Sequence, residues 1–385
     1  MHNLMDINIT GHKEIVARSA DRSAVRRWIE DRSRREAEGG TIVFHAGGSS
    51  FDSIGGGEYQ LVQTGRGLEA LGLDVTLWNR PIDRFAGDRI KKARLVHLFG
   101  MSHGGLEFAR VAKSKGVPVV LSPICWVEPR AMTEMFLHQQ FLKIKWGARR
   151  FFPQLPAMRR DLLRIADAIL PNTHAECEQL IKLFAADRSR TAVVRNGVEP
   201  RFGSADPALF RSIYGKAPFV LFVGRIEPRK NLHSLIKACR SLSASLVVIG
   251  AAPRGRADYE AECRRLAGKC ATWLGAIEHD DPLLESAYAA ARVTALPSWF
   301  ETPGLAALEG GIAGSAVVVT RNGGTREYFG DHAEYIDPGS VNSIKSAVAK
   351  ALSEGPDPAL ARRIALRYMW ETAVERTREA YDRTA

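Results

Sequence analysis

"VTALPSWFETPGLAALEGG", residues 293–311, reads as a strand, a loop and a helix in succession. VTALPS is apolar and short enough for a buried strand, which makes WFETPG the loop at its carboxyl end. Thr302 suits the N-cap of the helix with Pro303 at its first position, a favoured pairing. The amides of Gly304 and Leu305 are then free at the helix start and face any anion bound there. Glu301 precedes the helix, and Glu309 sits about 9 Å along it from Pro303 at a rise of about 1.5 Å per residue. One acid borders an anion site, and the other can reach the far end of a ligand, where carboxylates accept hydrogen bonds from hydroxyl groups. Taken alone, the two acids suit a solvated loop and a helix surface better than a binding site.

The same unit recurs in both directions. Toward the amino terminus, TIVFHAG (41–47), LDVTLWN, ARLVHLFG, VPVVLSPI, ADAILPN (166–172) and TAVVRNG (191–197) read as strands separated by helical stretches. After NGVEPRFGSADPALF (196–210), rich in Gly, Pro and Asp, a second series follows: PFVLFVGR, SLVVIGA, ATWLGA, VTALPS and SAVVVTR. Such alternation predicts an α/β chain of two doubly wound, Rossmann-like domains, whose ligands bind outside the carboxyl ends of the strands. The predicted division is a polar extension over 1–40, an N-terminal domain over 41–205, a C-terminal domain over 206–368 and a last helix over 369–385. Residues 196–206 are the expected hinge. In the extension, Arg26 with Glu30 and Arg27 with Asp31 suit an exposed helix.

Two further stretches fall at the ligand-binding edge. FVLFVGRIEPRKNL (219–232) sets Arg225 at a strand end and Lys230 where a helix opens, a pairing suited to a diphosphate. SIGGGEYQ (53–60) places Gly56 and Gly57 before another helix, where they serve either an anion or a tight turn.

Composition narrows the class. A hydrophobic fraction of 45% with 25% charged residues is globular, and no run of 18 apolar residues predicts a membrane span. The first residues carry no apolar leader core. Five cysteines without CxxC spacing read as reduced thiols rather than disulfides or a zinc site, so a cytoplasmic location is expected. The net charge of +11 points to anionic partners, whether nucleic acid, lipid or a phosphorylated ligand.

Together these features resemble the family 4 retaining glycosyltransferases of the GT-B fold. The resemblance spans 41–385 and rests on GGGEYQLVQTGRGLEALGLDVTLW, NGVEPRF, GRIEPRKN, LPSWFETPGLAALEGGIAGSAVVVTRNGGTREYFG and YMWETAVERTREAY, in that order. It implies two domains facing each other across a cleft, with the last helix, around Trp370, returning to the N-terminal one. Glu301 would then contact the donor sugar, Glu309 the nucleotide ribose, and Arg225 and Lys230 the diphosphate together with the amides of Gly304 and Leu305. Gly56 and Gly57 would approach the donor from the other domain. The implied activity is metal-independent, retaining hexose transfer, with no cofactor beyond the donor, either GDP-mannose or a UDP-hexose. The acceptor would be a glycan or a lipid-linked molecule in surface polysaccharide or glycoconjugate synthesis.

Two departures stand out. Thr302-Pro303 replaces the Gly-Phe often found in the family and removes one amide. Ile124, in VPVVLSPICW, stands where many members carry a histidine near the reacting carbon; that role is unfilled, or falls to His103 or His45. EHDDP (278–282) has adjacent acids but no Asp-x-Asp motif, so no metal is expected. FLHQQFLKIKWGARRFFPQLPAMRRDLLRI (136–165) carries seven Lys or Arg and one acid. It suits either peripheral contact with anionic lipid at the inner face of the membrane or two helices packed on the sheet. Another GT-B enzyme, such as a sugar-nucleotide epimerase or a phosphorylase, is the alternative. A non-catalytic nucleic-acid binder is suggested by charge alone and lacks any recognition motif.

Overall fold

Runs of four or five apolar residues, too short for helices, become parallel strands buried on both faces. The computed structural model describes residues 23–47, 51, 54–127 and 156–384. These fall into two units. One gathers Val25–Val127, the described part of Gly147–Gly197 and the chain from Trp370, and the other is built on Val198–Met369.

In the first unit, β1 (Ile42–His45), β2 (Val75–Trp78), β3 (Leu95–Phe99), β4 (Val119–Ser122) and β5 (Ala168–Ile169) make one parallel sheet in the order β2-β1-β3-β4-β5. Its helices are α1 (Ala24–Arg34), α2 (Gly56–Ala70), α3 (Ala86–Ile90), α4 (His103–Ser114), α5 (Pro156–Ile165), α6 (His174–Phe184) and, from the far end of the chain, α15 (Trp370–Thr384). Helix α1 corrects the reading of 1–40 as a plain extension. From Ala24 on it buries Val25, Trp28 and Ile29, and Trp28 Nε1 donates to Glu69 Oε2 at 2.8 Å. The regular charge pairs lie on its outer face and conceal that apolar stripe in the sequence. A side chain on Gly65 or Gly67 would begin 2.3 Å from Trp28 or 2.2 Å from Val374, so both α1 and α15 sit directly on α2.

TAVVRNG, expected as a strand, contributes one bridge, Thr191 to Ile169, and no strand. The units divide after Gly197, eight residues before the boundary drawn from the sequence. Residues 136–155 of the basic stretch, and 1–22 of the extension, lie outside the described residues. Among the described residues no helix is long and apolar enough to cross a membrane.

The second unit holds β6 (Val220–Val223), β7 (Leu246–Ile249), β8 (Ala271–Gly275), β9 (Val293–Leu296), β10 (Ala316–Thr320) and β11 (Glu334–Ile336), all parallel, in the order β11-β10-β9-β6-β7-β8. Helices α7 (Ala208–Tyr214), α8 (Leu232–Leu242), α9 (Ala257–Ala267), α10 (Pro282–Ala290), α11 (Leu305–Ile312), α12 (Thr325–Phe329), α13 (Val341–Glu354) and α14 (Pro358–Arg367) complete it. Strand alternation splits the core in two. Val220 and Phe222 join Leu232, Leu235 and Val348 on one face, while Leu221 joins Tyr288, Leu308 and Ile364 on the other. Chain order reverses between the neighbours β6 and β9, whose following helices α8 and α11 pack on opposite faces. That reversal is the switch point at which doubly wound sheets bind ligands.

Candidate functional site

The loops after β6 and β9 carry most of the residues singled out in the sequence. Asn231, in the left-handed region with φ 57°, ends the turn after β6 and caps α8. Its Nδ2 donates to Pro297 O at 3.0 Å and to Pro338 O at 2.9 Å, and Trp299 N donates to Arg229 O at 2.9 Å. The two loops are thus stitched side by side, which brings Lys230 to Glu301.

Glu301 is buried, and its Oε1 accepts from Lys230 Nζ at 2.5 Å and from Ser298 Oγ at 2.6 Å, with Arg229 Nη1 at 3.7 Å. Its Oε2 accepts from no group among the described residues. The backbone around it is equally fixed: Glu301 N donates to Asn322 O, and Gly324 N donates to Glu301 O. Burial pushes the Glu301 carboxyl up, but Lys230 and Arg229 outweigh it and hold it below the ordinary value. Burial and the neighbouring Arg229 hold Lys230 below its own ordinary value against the pull of Glu301. Glu227 lies within 3.3 Å of Arg229 and 3.8 Å of Arg225. Burial raises its carboxyl, and these cations more than reverse the effect. Arg225 remains about a third exposed at the edge of this cluster.

The helix start differs from the sequence reading. Helix α11 begins at Leu305, and its N-cap is Gly304 in the left-handed region at φ 79°, not Thr302. Thr302 and Pro303 stay outside the helix, because the chain must turn sharply from the Glu301 bridge into α11, and only glycine adopts that turn without strain. Ala307 N and Leu308 N both donate to Gly304 O, at 2.9 and 3.2 Å. The amides of Gly304, Leu305 and Ala306 have no acceptor among the described residues, and the first two are those the sequence reading names for an anion.

Glu309 is no surface acid. It is buried, with Oε1 2.7 Å from His279 Nε2 and Oε2 accepting from Tyr288 OH at 2.7 Å. Sequence reasoning passed over Arg229, Ser298, His279 and Tyr288. Arg229 stood in view between the two named cations and Ser298 three residues before Glu301, whereas His279 and Tyr288 reach Glu309 across the fold. In EHDDP, Asp281 accepts from Leu283 N and caps α10. Among the described residues no three His, Cys, Asp or Glu side chains form a metal-binding group.

In the first unit, Gly56, Gly57 and His103 all stand at the carboxyl edge of the sheet. Gly56 and Gly57 open α2, and Glu58 reaches back to accept from Gly55 N at 2.9 Å. His103 is the exposed first residue of α4. His45 is a core side chain: it stacks on Phe108 at 4.6 Å, its Nδ1 lies 2.9 Å from Trp78 O, and burial pushes it down to about 4. Ile124 takes the strand-end position at φ 45°, strained for a β-branched residue, and its Cδ1 lies 3.6 Å from where a side chain on Gly57 would begin.

Residues 210–366 match the family model "Glycosyl transferases group 1". The D-inositol 3-phosphate glycosyltransferase of Acidothermus cellulolyticus is 30% identical over 237 residues, covering 56% of this chain and 53% of that protein. The chain spans about half the length of the curated relatives it matches. Among solved structures, HepE of Anabaena in complex with UDP-glucose superposes with a TM-score of 0.71 at 17% identity, covering 89% of this chain and 99% of that one. Sucrose-phosphate synthase from Thermosynechococcus elongatus gives a TM-score of 0.69 at 18% identity, covering 89% and 98%. Both likenesses place the two parallel-sheet units in the GT-B fold. Residues 210–366 therefore carry a glycosyl transferases group 1 domain within a chain of GT-B fold.

Proposed function

We propose that this chain is a retaining, family 4 glycosyltransferase that moves a hexose from a nucleoside-diphosphate sugar to a glycan or lipid-linked acceptor. The carrying observation is Glu301: Lys230, Arg229 and Ser298 anchor one oxygen, leaving Oε2 to accept from a sugar hydroxyl beside the free amides of α11. Arg225, Lys230 and the amides of Gly304 and Leu305 stabilise charge gathering on the departing diphosphate, and loss of one such contact typically costs on the order of 100-fold in rate. Glu309 accepts from the ribose. In the retaining scheme the acceptor hydroxyl attacks from the leaving group's face, and the departing diphosphate takes its proton as the sugar–phosphate bond breaks. This leaves no obligatory task for a histidine at position 124.

Gly56 and Gly57 are proposed donor contacts through their amides, and His103 a proposed catalytic residue. The UDP-glucose held by HepE supports a UDP-hexose donor, with GDP-mannose as the alternative. The net charge of +11 supports an acceptor at an anionic membrane face, in polysaccharide or glycoconjugate synthesis in the cytoplasm.

The test measures nucleoside diphosphate release by the full chain from UDP-glucose or GDP-mannose, with and without a set of glycan and lipid-linked acceptors. Acceptor-dependent release is expected, and release from donor alone would favour a hydrolysing sugar-nucleotide epimerase. Glu301→Gln and Lys230→Met each reduce turnover at least 100-fold; near-normal turnover in either would refute the assignment.

A further inference from the structure

Glu309 is held by more than its burial requires. Tyr288, fully buried on α10, donates to Oε2. His279, on the loop between β8 and α10, meets Oε1 at 2.7 Å. The surroundings of the other ring nitrogen bear on which way that bond runs. Arg201 Nη2 lies 2.9 Å from His279 Nδ1 and donates to His279 O at 2.6 Å. A guanidinium can only donate, so a neutral ring that accepts from Arg201 at Nδ1, with Glu199 Oε2 3.4 Å from the same nitrogen, carries its proton on Nε2, aimed at Glu309. Arg201 is itself fixed by Glu199 at 3.1 Å and Glu285 at 2.9 Å, and the Phe202 ring stands edge-on to His279 at 5.2 Å. NGVEPRF, remote in sequence, thus acts through Arg201 and Phe202 to hold one histidine tautomer.

We propose that His279 is a positioning and specificity residue, which turns Glu309 so that the carboxylate accepts from the vicinal hydroxyls of a ribose. The inference rests on the donor reading above. An ionised carboxylate offers about four acceptor sites, and its two anchors occupy one on each oxygen. The remaining pair suits a diol, and about 8% of the side chain stays exposed to meet one. A glutamate free to rotate about its side-chain bonds would have to be ordered by the ligand, whereas the two anchors order it beforehand. His279 therefore adds to the affinity for ribonucleotides over 2′-deoxynucleotides without touching the sugar being transferred.

Calorimetric binding of UDP, GDP and ADP, each beside its 2′-deoxy counterpart, tests this on the full chain and on His279→Leu, His279→Asn and His279→Gln. The wild type is expected to favour its ribonucleotide by about tenfold or more. Leu and Asn should cut that ratio to about threefold or less, mainly by weakening the ribonucleotide. Gln, whose amide nitrogen reaches the Nε2 position, should restore it. If Leu does not fold, the contrast between Gln and Asn decides, since Asn is equally polar but too short. A ratio unchanged in Leu or Asn, or lowered equally by all three substitutions, overturns the role of His279 alone. A wild type that binds none of the three diphosphates overturns the donor reading and this inference with it.

Discussion

Lys230→Met removes the cation closest to Glu301 while keeping most of the side-chain volume. The two charges lie 2.5 Å apart, with 14% and 8% of their side chains exposed. At an effective dielectric constant of about 20 their attraction is about 6–7 kcal/mol, most of it cancelled by the several kcal/mol needed to desolvate each ion. The net worth of the pair is therefore small, but stranding one member is costly, about 3–5 kcal/mol when nothing compensates. Here Arg229 at 3.7 Å and Ser298 at 2.6 Å remain with Glu301, which brings the expected loss to about 2 kcal/mol. Native-state hydrogen exchange reads this locally, without requiring the whole chain to unfold in one step. The bonded amides of Lys230, Asn231 and Trp299 should exchange about 30-fold faster in the variant. Glu301→Gln should cost about 1–2 kcal/mol, and the double variant should lose less than the sum by at least 1 kcal/mol. Additivity within about 0.3 kcal/mol would show that the two side chains do not act as a unit, and the site's central contact would be wrong.

The first unit should weaken in acid for a separate reason. Burial pushes His45 down to about 4 and His97 down to about 3, whereas both are near 6.5 when unfolded. Between those values the unfolded chain binds the protons and the folded one does not, so stability falls as pH drops below 6.5. The slope approaches about 2.7 kcal/mol per pH unit with both groups contributing, and His45→Leu should halve it in urea titrations between pH 6 and 4.5. Gly323→Ala places a methyl 1.8 Å from Glu301 O at a φ of 108°, and should cost about 3 kcal/mol and displace Glu301. A melting temperature within a degree of wild type would contradict that. Tyr381→Phe strands His97 Nδ1, now 2.6 Å from the hydroxyl in the buried seam beneath α15, at a cost of about 1–2 kcal/mol. Calorimetry should show a melting temperature lower by about 2–8 °C.

The features legible in the sequence are those whose physical cause is local. Parallel strands buried on both faces must be unbroken apolar runs, so VLFV, LVVI and AVVVT announce themselves; β11 has only Glu-Tyr-Ile and passes unnoticed. TAVVRNG has the same apolar character yet forms one bridge, because strand composition says nothing about whether a partner edge is present. Thr302-Pro303 carries a sound capping signal, but the helix starts later, where the left-handed Gly304 lets the chain leave the Glu301–Gly323 bridge. Local preference yields there to a tertiary contact. The acids show the same division. Their placement after a strand and within a helix follows from spacing alone. The surroundings that decide their chemistry do not: Lys230 is 71 positions from Glu301, and His279 is 30 from Glu309. Such partners are set by which loops the strand order brings together, and that order reverses between β6 and β9. Doubly wound sheets therefore reveal the edge at which they bind from sequence alone, while the groups that tune each carboxylate emerge only once strand neighbours are known. His279 has no motif of its own, and its assignment depends on how Arg201, Glu199 and Glu309 surround its two nitrogens.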